Sequence, residues 1–144
     1  MENYDLAIAN DHAGVKLKNK IIDKLRQKNF KILDLGTNSE DSVDYPDFAY
    51  KMNEEFIKKE VKRGILICGS GIGMSIAANR SSVIRAALCV NEFMAEKARS
   101  HNDANILVLG SKLIDDDLSV RIVDIFLSTE FEGGRHLARV AKIR

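Results

Sequence analysis

The chain has 144 residues, about the length of one domain, and its 45% hydrophobic and 30% charged content excludes a disordered protein. With 22 Lys and Arg against 21 Asp and Glu, the formal charge is +1, which leaves no basic excess for tracking a nucleic acid. A single Pro excludes a proline-rich ligand, and no apolar run approaches the roughly 18 residues that cross a bilayer.

The first residues, Met1-Glu2-Asn3-Tyr4-Asp5, are acidic where a secretory leader would be positive. Leu6-Ala7-Ile8-Ala9 predicts a short buried strand, stopped by Asn10-Asp11-His12-Ala13-Gly14. Val15, Ile21, Ile22 and Leu25 recur on one side of a helix whose other side carries Lys16, Lys20, Asp23 and Lys24. Phe30 to Leu35 predicts the second strand, ended by Gly36. Pro46 suits the first turn of a helix, where its missing N–H costs nothing, and Phe48, Met52 and Phe56 continue that helix at steps of four.

Ile65 to Cys68 predicts the third strand, which enters Gly69-Ser70-Gly71-Ile72-Gly73 and a short helix through Ala77 and Ala78. Ile84 to Val90 reads as the fourth strand. Asn91 is placed to cap a helix that carries Phe93, Met94 and Ala98. Ile106 to Leu109 is the fifth strand. Asp115 to Asp117 open a helix with Leu118, Ile122, Ile125 and Phe126 inward, and a last helix follows Gly133-Gly134.

Strands that are apolar throughout, alternating with amphipathic helices, imply a parallel sheet covered on both faces. The expected fold is a three-layer α/β/α sandwich of five strands, one domain over residues 1–144. In such folds ligands gather beyond the carboxyl ends of the strands. Asp11-His12, Cys68-Gly69-Ser70 and Asn91 follow strands in this way. His101-Asn102 precedes the fifth strand, so it must reach a pocket from the other end or serve a neighbouring subunit.

The glycines after the third strand let backbone N–H groups converge on an anion, although a tight turn without a ligand has the same composition. A dinucleotide fingerprint would need a sixth-position glycine, where Met74 stands, and a phosphate-loop ATPase would need Gly-Lys-Ser/Thr. Cys68 is either a small buried hydrophobe or, beside those N–H groups, a base or nucleophile; Cys89 reads as core. Neither has disulfide or zinc-knuckle spacing, and two free thiols fit a reducing cytoplasm. His101 is a surface histidine or a general acid/base, and His12 beside Asp11 a capped turn or a ligand clamp. His12, His101, His136, Asp11 and Cys68 contain no local chelating pair, so no metal site is expected. Arg135 and Arg139, four apart, form a phosphate-binding pair or a solvated basic tail.

Five segments taken together in order carry a resemblance: Asn10 to Gly14, Asp44-Tyr45-Pro46, Ile67 to Asn79, His101 to Asn105 and Phe131 to His136. They resemble type B ribose-5-phosphate isomerase over nearly the whole chain. The resemblance implies a Rossmann-like sheet of order 2-1-3-5-4 and interconversion of ribose 5-phosphate and ribulose 5-phosphate in the pentose phosphate pathway, without metal or organic cofactor. It implies homodimers, in some members dimers of dimers, with active sites at the subunit interface and a C-terminal helix from about residue 135 near it.

By the same resemblance Cys68 is the base that moves a proton between C2 and C1, and Ser70 manages protons between O1 and O2. N–H groups around Gly71, Gly73 and Met74 hold the enediolate, with Gly69 and Ser75 in the same substrate-binding loop. Asp11 binds a sugar hydroxyl, His101 opens the furanose ring from the partner subunit, Asn102 holds an oxygen near the reacting carbons and Tyr45 lines the cleft. His12, Arg135 and Arg139 surround the phosphate. Many relatives carry arginine where this chain has Lys112, which keeps the charge and loses the planar fork. An aldose-6-phosphate isomerase acting on allose or galactose would share almost every motif. A non-catalytic phosphate-binding module is the alternative of a different class.

Overall fold

The computed structural model describes residues 3–143, so the acidic Met1-Glu2 start lies outside the described residues. The elements follow in the order β1 (Leu6–Asn10), α1 (Val15–Gln27), β2 (Ile32–Asp34), α2 (Tyr45–Ile57), β3 (Gly64–Cys68) and α3 (Ile72–Ala78). The second half adds β4 (Ala86–Leu88), α4 (Glu92–Ser100), β5 (Ile106–Gly110), α5 (Asp116–Ser128) and α6 (Arg135–Ala141). Among the described residues no helix is long and apolar enough to cross a membrane.

All strand pairs are parallel, and the sheet runs β2-β1-β3-β5-β4, the order expected. Its three central strands are buried along their whole length, which explains why they read as unbroken apolar runs. Alternate residues divide between two cores. Leu6, Ile8, Ile65, Ile67, Leu107 and Leu109 pack under α1, α4 and α5. Ala7, Ala9, Leu66, Cys68, Ile106 and Val108 face α2 and α3. Cys68 and Cys89 therefore belong to opposite faces of the sheet.

The edge strands are shorter than their apolar runs. β2 spans Ile32–Asp34 rather than Phe30 to Leu35, and β4 spans Ala86–Leu88 rather than Ile84 to Val90. Each pairs on one side only, and that pairing covers three residues of a neighbour that itself continues to Asn10 or Gly110. The inner face of α4 is formed by its smaller residues and one arginine. Ala95, Ala98 and Arg99 are buried there, while Phe93 and Met94 are 68% and 37% exposed. On α5 the buried positions are Ser119, Ile122, Val123 and Phe126, with Leu118 and Ile125 at the margin. The predicted Asn91 cap forms, its Oδ1 accepting from Met94 N at 2.8 Å, and Asp115, expected to open α5, caps it by accepting from Leu118 N at 2.7 Å.

From β1 the chain crosses first to β2 on one side and then to β3 on the other. In folds of this kind the carboxyl ends where the direction of winding reverses, here those of β1 and β3, form the crevice where ligands bind. Asp11 follows β1 at this point and Cys68 ends β3.

Candidate active site

Two clusters hold the residues singled out from the sequence, at opposite ends of the sheet. The first is built around the crevice. Asp11 N donates to Ile67 O at 3.1 Å, which continues the β1–β3 ladder and sets Asp11 beside the end of β3. The Asp11 carboxylate accepts from Ala13 N at 2.9 Å, fixing its rotamer at the start of a short turn, His12–Gly14. Cys68 is 4% exposed, and Gly71 N donates to its Sγ at 3.1 Å. That turn needs φ = 76° at Gly71, the left-handed region where only glycine is unstrained. This backbone donor fixes the sulfur's position at the end of β3.

Downstream of Gly71, Ile72 N donates to Ser70 Oγ at 3.2 Å, and the helical ladder of α3 begins with Ser75 N on Gly71 O at 3.0 Å. The N–H groups of Gly73 and Met74 therefore point out of the helix start, while the Met74 side chain is wholly buried. Gly73 has a different reason to be glycine: a Cβ there would meet the Tyr45 ring, with the hydroxyl oxygen 2.8 Å away. Tyr45, at the start of α2, thus lies across the loop. The loop is anchored to the turn that follows β5 by Ser111 N on Cys68 O and Lys112 N on Gly69 O, both 2.9 Å. The exposed Lys112 side chain passes beside Gly69, and half-exposed Ser75 faces out from the same helix turn.

His12 is held by Val43 N, which donates to its Nδ1 at 3.1 Å. This occupies Nδ1 as an acceptor and leaves Nε2 as the ring nitrogen able to donate. Val43 belongs to the segment after β2, and sequence reasoning missed what pins that segment. Lys18 is fully buried, with Nζ 2.8 Å from Thr37 O, 2.7 Å from Asn38 Oδ1 and 3.2 Å from Asp34 Oδ2. It sits among exposed lysines on α1, and only its place on the inner helical face would have given a signal.

The second cluster contains His101, Asn102, Arg135 and Arg139. His101 caps the C-terminus of α4, with its N–H on Lys97 O at 2.9 Å. The following turn is locked through Asp103 (φ = 48°), which receives Arg99 Nη1 at 2.9 Å and Arg85 Nη2 at 3.1 Å. Buried Arg99 also donates to Ala104 O and Thr129 O, tying the turn to the strap before α6. Glu132 N donates to Ser100 O at 3.0 Å in the same strap. The His101 ring stacks on His136 of α6, centroids 4.1 Å apart and planes inclined by 19°. Arg135 and Arg139 are both exposed on α6.

These clusters do not meet within one chain. Cys68 pairs with Gly110 at the end of β5, whereas His101 and Asn102 lie before Ile106 at its start. Four residues of strand separate the two levels by about 13 Å. A cleft of about 390 Å³ opens beside β4, lined by Asn79, Arg85, Ala86, Asn102, Ala104 and Ile143. A second, of about 240 Å³, includes Phe93, Met94 and again Asn102. Neither is lined by Cys68 or Asp11.

His101, Glu132 and His136 bring one ligand atom each within 4.8 Å of one another. Stacked rings direct their in-plane lone pairs along parallel lines, so a shared ion would require one ring to turn out of the stack. His136 is held below its ordinary pKa, first by burial and then by His101 and Arg135. Burial pushes the Cys89 thiol up to about 12, which leaves it a neutral core group.

Known proteins share this fold. The pattern of the Ribose/Galactose Isomerase family matches residues 6–143. A Rickettsia conorii protein, named provisionally as a sugar phosphate isomerase, is 56% identical over the full length of both chains. The crystal structure of a ribose 5-phosphate isomerase from Thermotoga maritima is 54% identical, with a TM-score of 0.94 over 99% of this chain and 98% of that one. Ribose-5-phosphate isomerase B of Mycoplasma genitalium, solved with bound ribulose 5-phosphate, is 42% identical, with a TM-score of 0.93 over 99% and 95%.

Proposed function

The chain belongs to the ribose/galactose isomerase family, and we propose that it interconverts D-ribose 5-phosphate and D-ribulose 5-phosphate in a homodimer whose active sites draw on both subunits. The observation that carries this reading is the setting of Cys68. Its buried sulfur stands at the crevice with a backbone N–H on it, Asp11 on the adjacent strand, and the Gly73 and Met74 N–H groups directed outward nearby. A base beside preorganised donors suits proton transfer through an anionic intermediate.

In the proposed sequence the furanose opens first. The C1–O4 bond breaks, O4 keeps the electron pair and takes a proton from His101 of the partner subunit, and O1 releases its proton to solvent. The Cys68 thiolate then takes the proton from C2, and the negative charge passes to O1 of the enediolate, opposite the loop N–H groups. Ser70 carries the O2 proton to O1. The Cys68 thiol returns its proton to C1, leaving a ketone at C2. His12 Nε2–H, Lys112 and the partner's Arg135 and Arg139 hold the phosphate, supplying binding energy remote from the reacting carbons. Asp11, Asn102 and Tyr45 orient the sugar.

Two features support a site shared between subunits. One is the separation of the His101 and Cys68 clusters along the sheet. The other is apolar surface near both: Ile72 and Ile76 on α3 are 56% and 64% exposed, and Leu137 on α6 is 59% exposed. Side chains of this size left in solvent suit burial against a second copy. The two free thiols suit a reducing compartment, and we place the protein in the cytoplasm.

The test is ketose formation from ribose 5-phosphate, allose 6-phosphate and galactose 6-phosphate by the purified protein and by Cys68→Ala. Ribose 5-phosphate should be turned over best, and the substitution should lower kcat by about a hundredfold or more. Preference for a hexose phosphate would replace the sugar and keep the chemistry. Phosphate binding without isomerisation of any of the three would instead assign a non-catalytic module.

A further inference from the structure

His136 takes no part in the mechanism above, yet it is the buried partner of a residue that does. Its ring is 6% exposed and lies flat beneath His101, which is half-buried. Its Nε2 lies 3.4 Å from Glu132 Oε2 but off the direction of a hydrogen bond, and it makes no hydrogen bond to any described residue. The charged groups around it are Glu132 on the strap, His101 at the end of α4, and Arg135 and Arg139 on its own helix. A buried ring kept without a hydrogen bond to that nitrogen is a costly choice unless its face is what is used.

The backbone around the pair is fixed on both sides. Glu132 N on Ser100 O ties the strap to α4 one residue before His101. His136 N donates to Gly133 O at 3.0 Å, which sets the first turn of α6 at the same place. The main freedom left to the His101 imidazole is rotation of its own side chain, and the stack removes it.

We propose that His136 is a positioning residue: its buried ring is the platform that holds the His101 imidazole in the orientation from which it protonates the ring oxygen of a furanose bound by the neighbouring subunit. This rests on the isomerase reading and deepens it. It separates two steps, because ring opening depends on the platform, whereas proton transfer at C1 and C2 belongs to Cys68 of the other subunit.

That separation supplies a readout which loss of structure would not imitate. Ribulose 5-phosphate has no furanose form, since its O5 is esterified. Exchange of its C1 proton with D2O therefore reports enediolate formation without ring opening. Two variants are compared with wild type: His136→Leu, of similar bulk without a flat face, and His136→Phe, which keeps an aromatic platform and has no titratable nitrogen. Displacing a reacting group by about an ångström costs on the order of a hundredfold in rate. His136→Leu is accordingly expected to lower conversion of ribose 5-phosphate by about tenfold or more, with exchange at C1 of ribulose 5-phosphate within about twofold of wild type. His136→Phe should retain both rates within about threefold.

Equal loss of conversion and exchange in His136→Leu would overturn the proposal, as would unchanged conversion, or a His136→Phe variant as impaired as His136→Leu. Wild-type protein that neither converts ribose 5-phosphate nor exchanges the C1 proton would overturn the isomerase reading and this proposal with it. If wild type does both, the failure falls on His136 alone.

Discussion

Replacing Cys89 with Ala separates the two thiols by their opposite consequences. Cys89 is 1% exposed under α4 and α5, and burial raises its pKa from 9.0 to about 12. The folded protein therefore keeps a neutral thiol while the unfolded chain ionises once the pH passes 9.0. The sign follows: this contribution to stability is complete below pH 9.0 and is lost progressively as the pH rises toward about 12. At about pH 10 the loss amounts to about 1.4 kcal/mol, against less than about 0.1 kcal/mol at about pH 8. Deleting the sulfur also leaves a small cavity, worth roughly 1–2 kcal/mol. In urea unfolding Cys89→Ala should therefore be less stable than wild type by roughly 1–2 kcal/mol at about pH 8 and nearly equal to it at about pH 10. Turnover should be unaffected, whereas Cys68→Ala should nearly abolish it. A stability deficit that does not change with pH would refute the account of Cys89 as a thiol held neutral by burial. Loss of turnover in Cys89→Ala would refute its assignment to the core.

Gly73→Ala places a methyl group against the Tyr45 ring and should displace it from the loop. The expected result is a rise in KM for sugar phosphate of about three- to tenfold with the fold retained; an unchanged KM would remove Tyr45 from the cleft. Lys18→Met deletes a buried donor to Thr37 and Asn38 and loosens the segment that carries Val43 to His12. Urea unfolding should register a cost of about 1–3 kcal/mol, with KM raised and kcat near wild type. A fall in kcat with KM unchanged would show that the Lys18 network does not act through the phosphate end.

Much of this was legible in the sequence because the informative residues sit where strands stop. Three central strands are buried on both faces, so their apolar runs could be read directly, and the crevice rule then pointed to Asp11 and Cys68. His101 was legible as an anomaly, lying before its strand instead of after it. Less legible were features that depend on what faces what. The edges β2 and β4 read longer than they are because an apolar run does not say how much of it its only neighbour will pair. Phe93 and Met94 occupy apolar positions by periodicity, yet they lie outside the sheet's own core in a single chain. The burial of Lys18 and Arg99 has no compositional signal, since each looks like one more surface cation until its carbonyl and carboxylate partners fold around it. The stacking of His136 on His101 joins residues 35 apart through a strap with no regular structure, and no local pattern encodes it.

The central claim is an isomerase site assembled from Cys68 of one subunit and His101 of another, and subunit complementation tests it most directly. His101→Ala and Cys68→Ala chains are purified separately, each shown to be inactive on ribose 5-phosphate, then mixed under conditions of verified subunit exchange. In a shared arrangement each heterodimer has one pocket lacking both groups and one pocket with both intact. Activity should therefore return to about half of the wild-type value per heterodimer, since one of two independent pockets is complete. If both groups acted within their own chain, every pocket would lack one of them, and verified exchange without recovered activity would contradict the account.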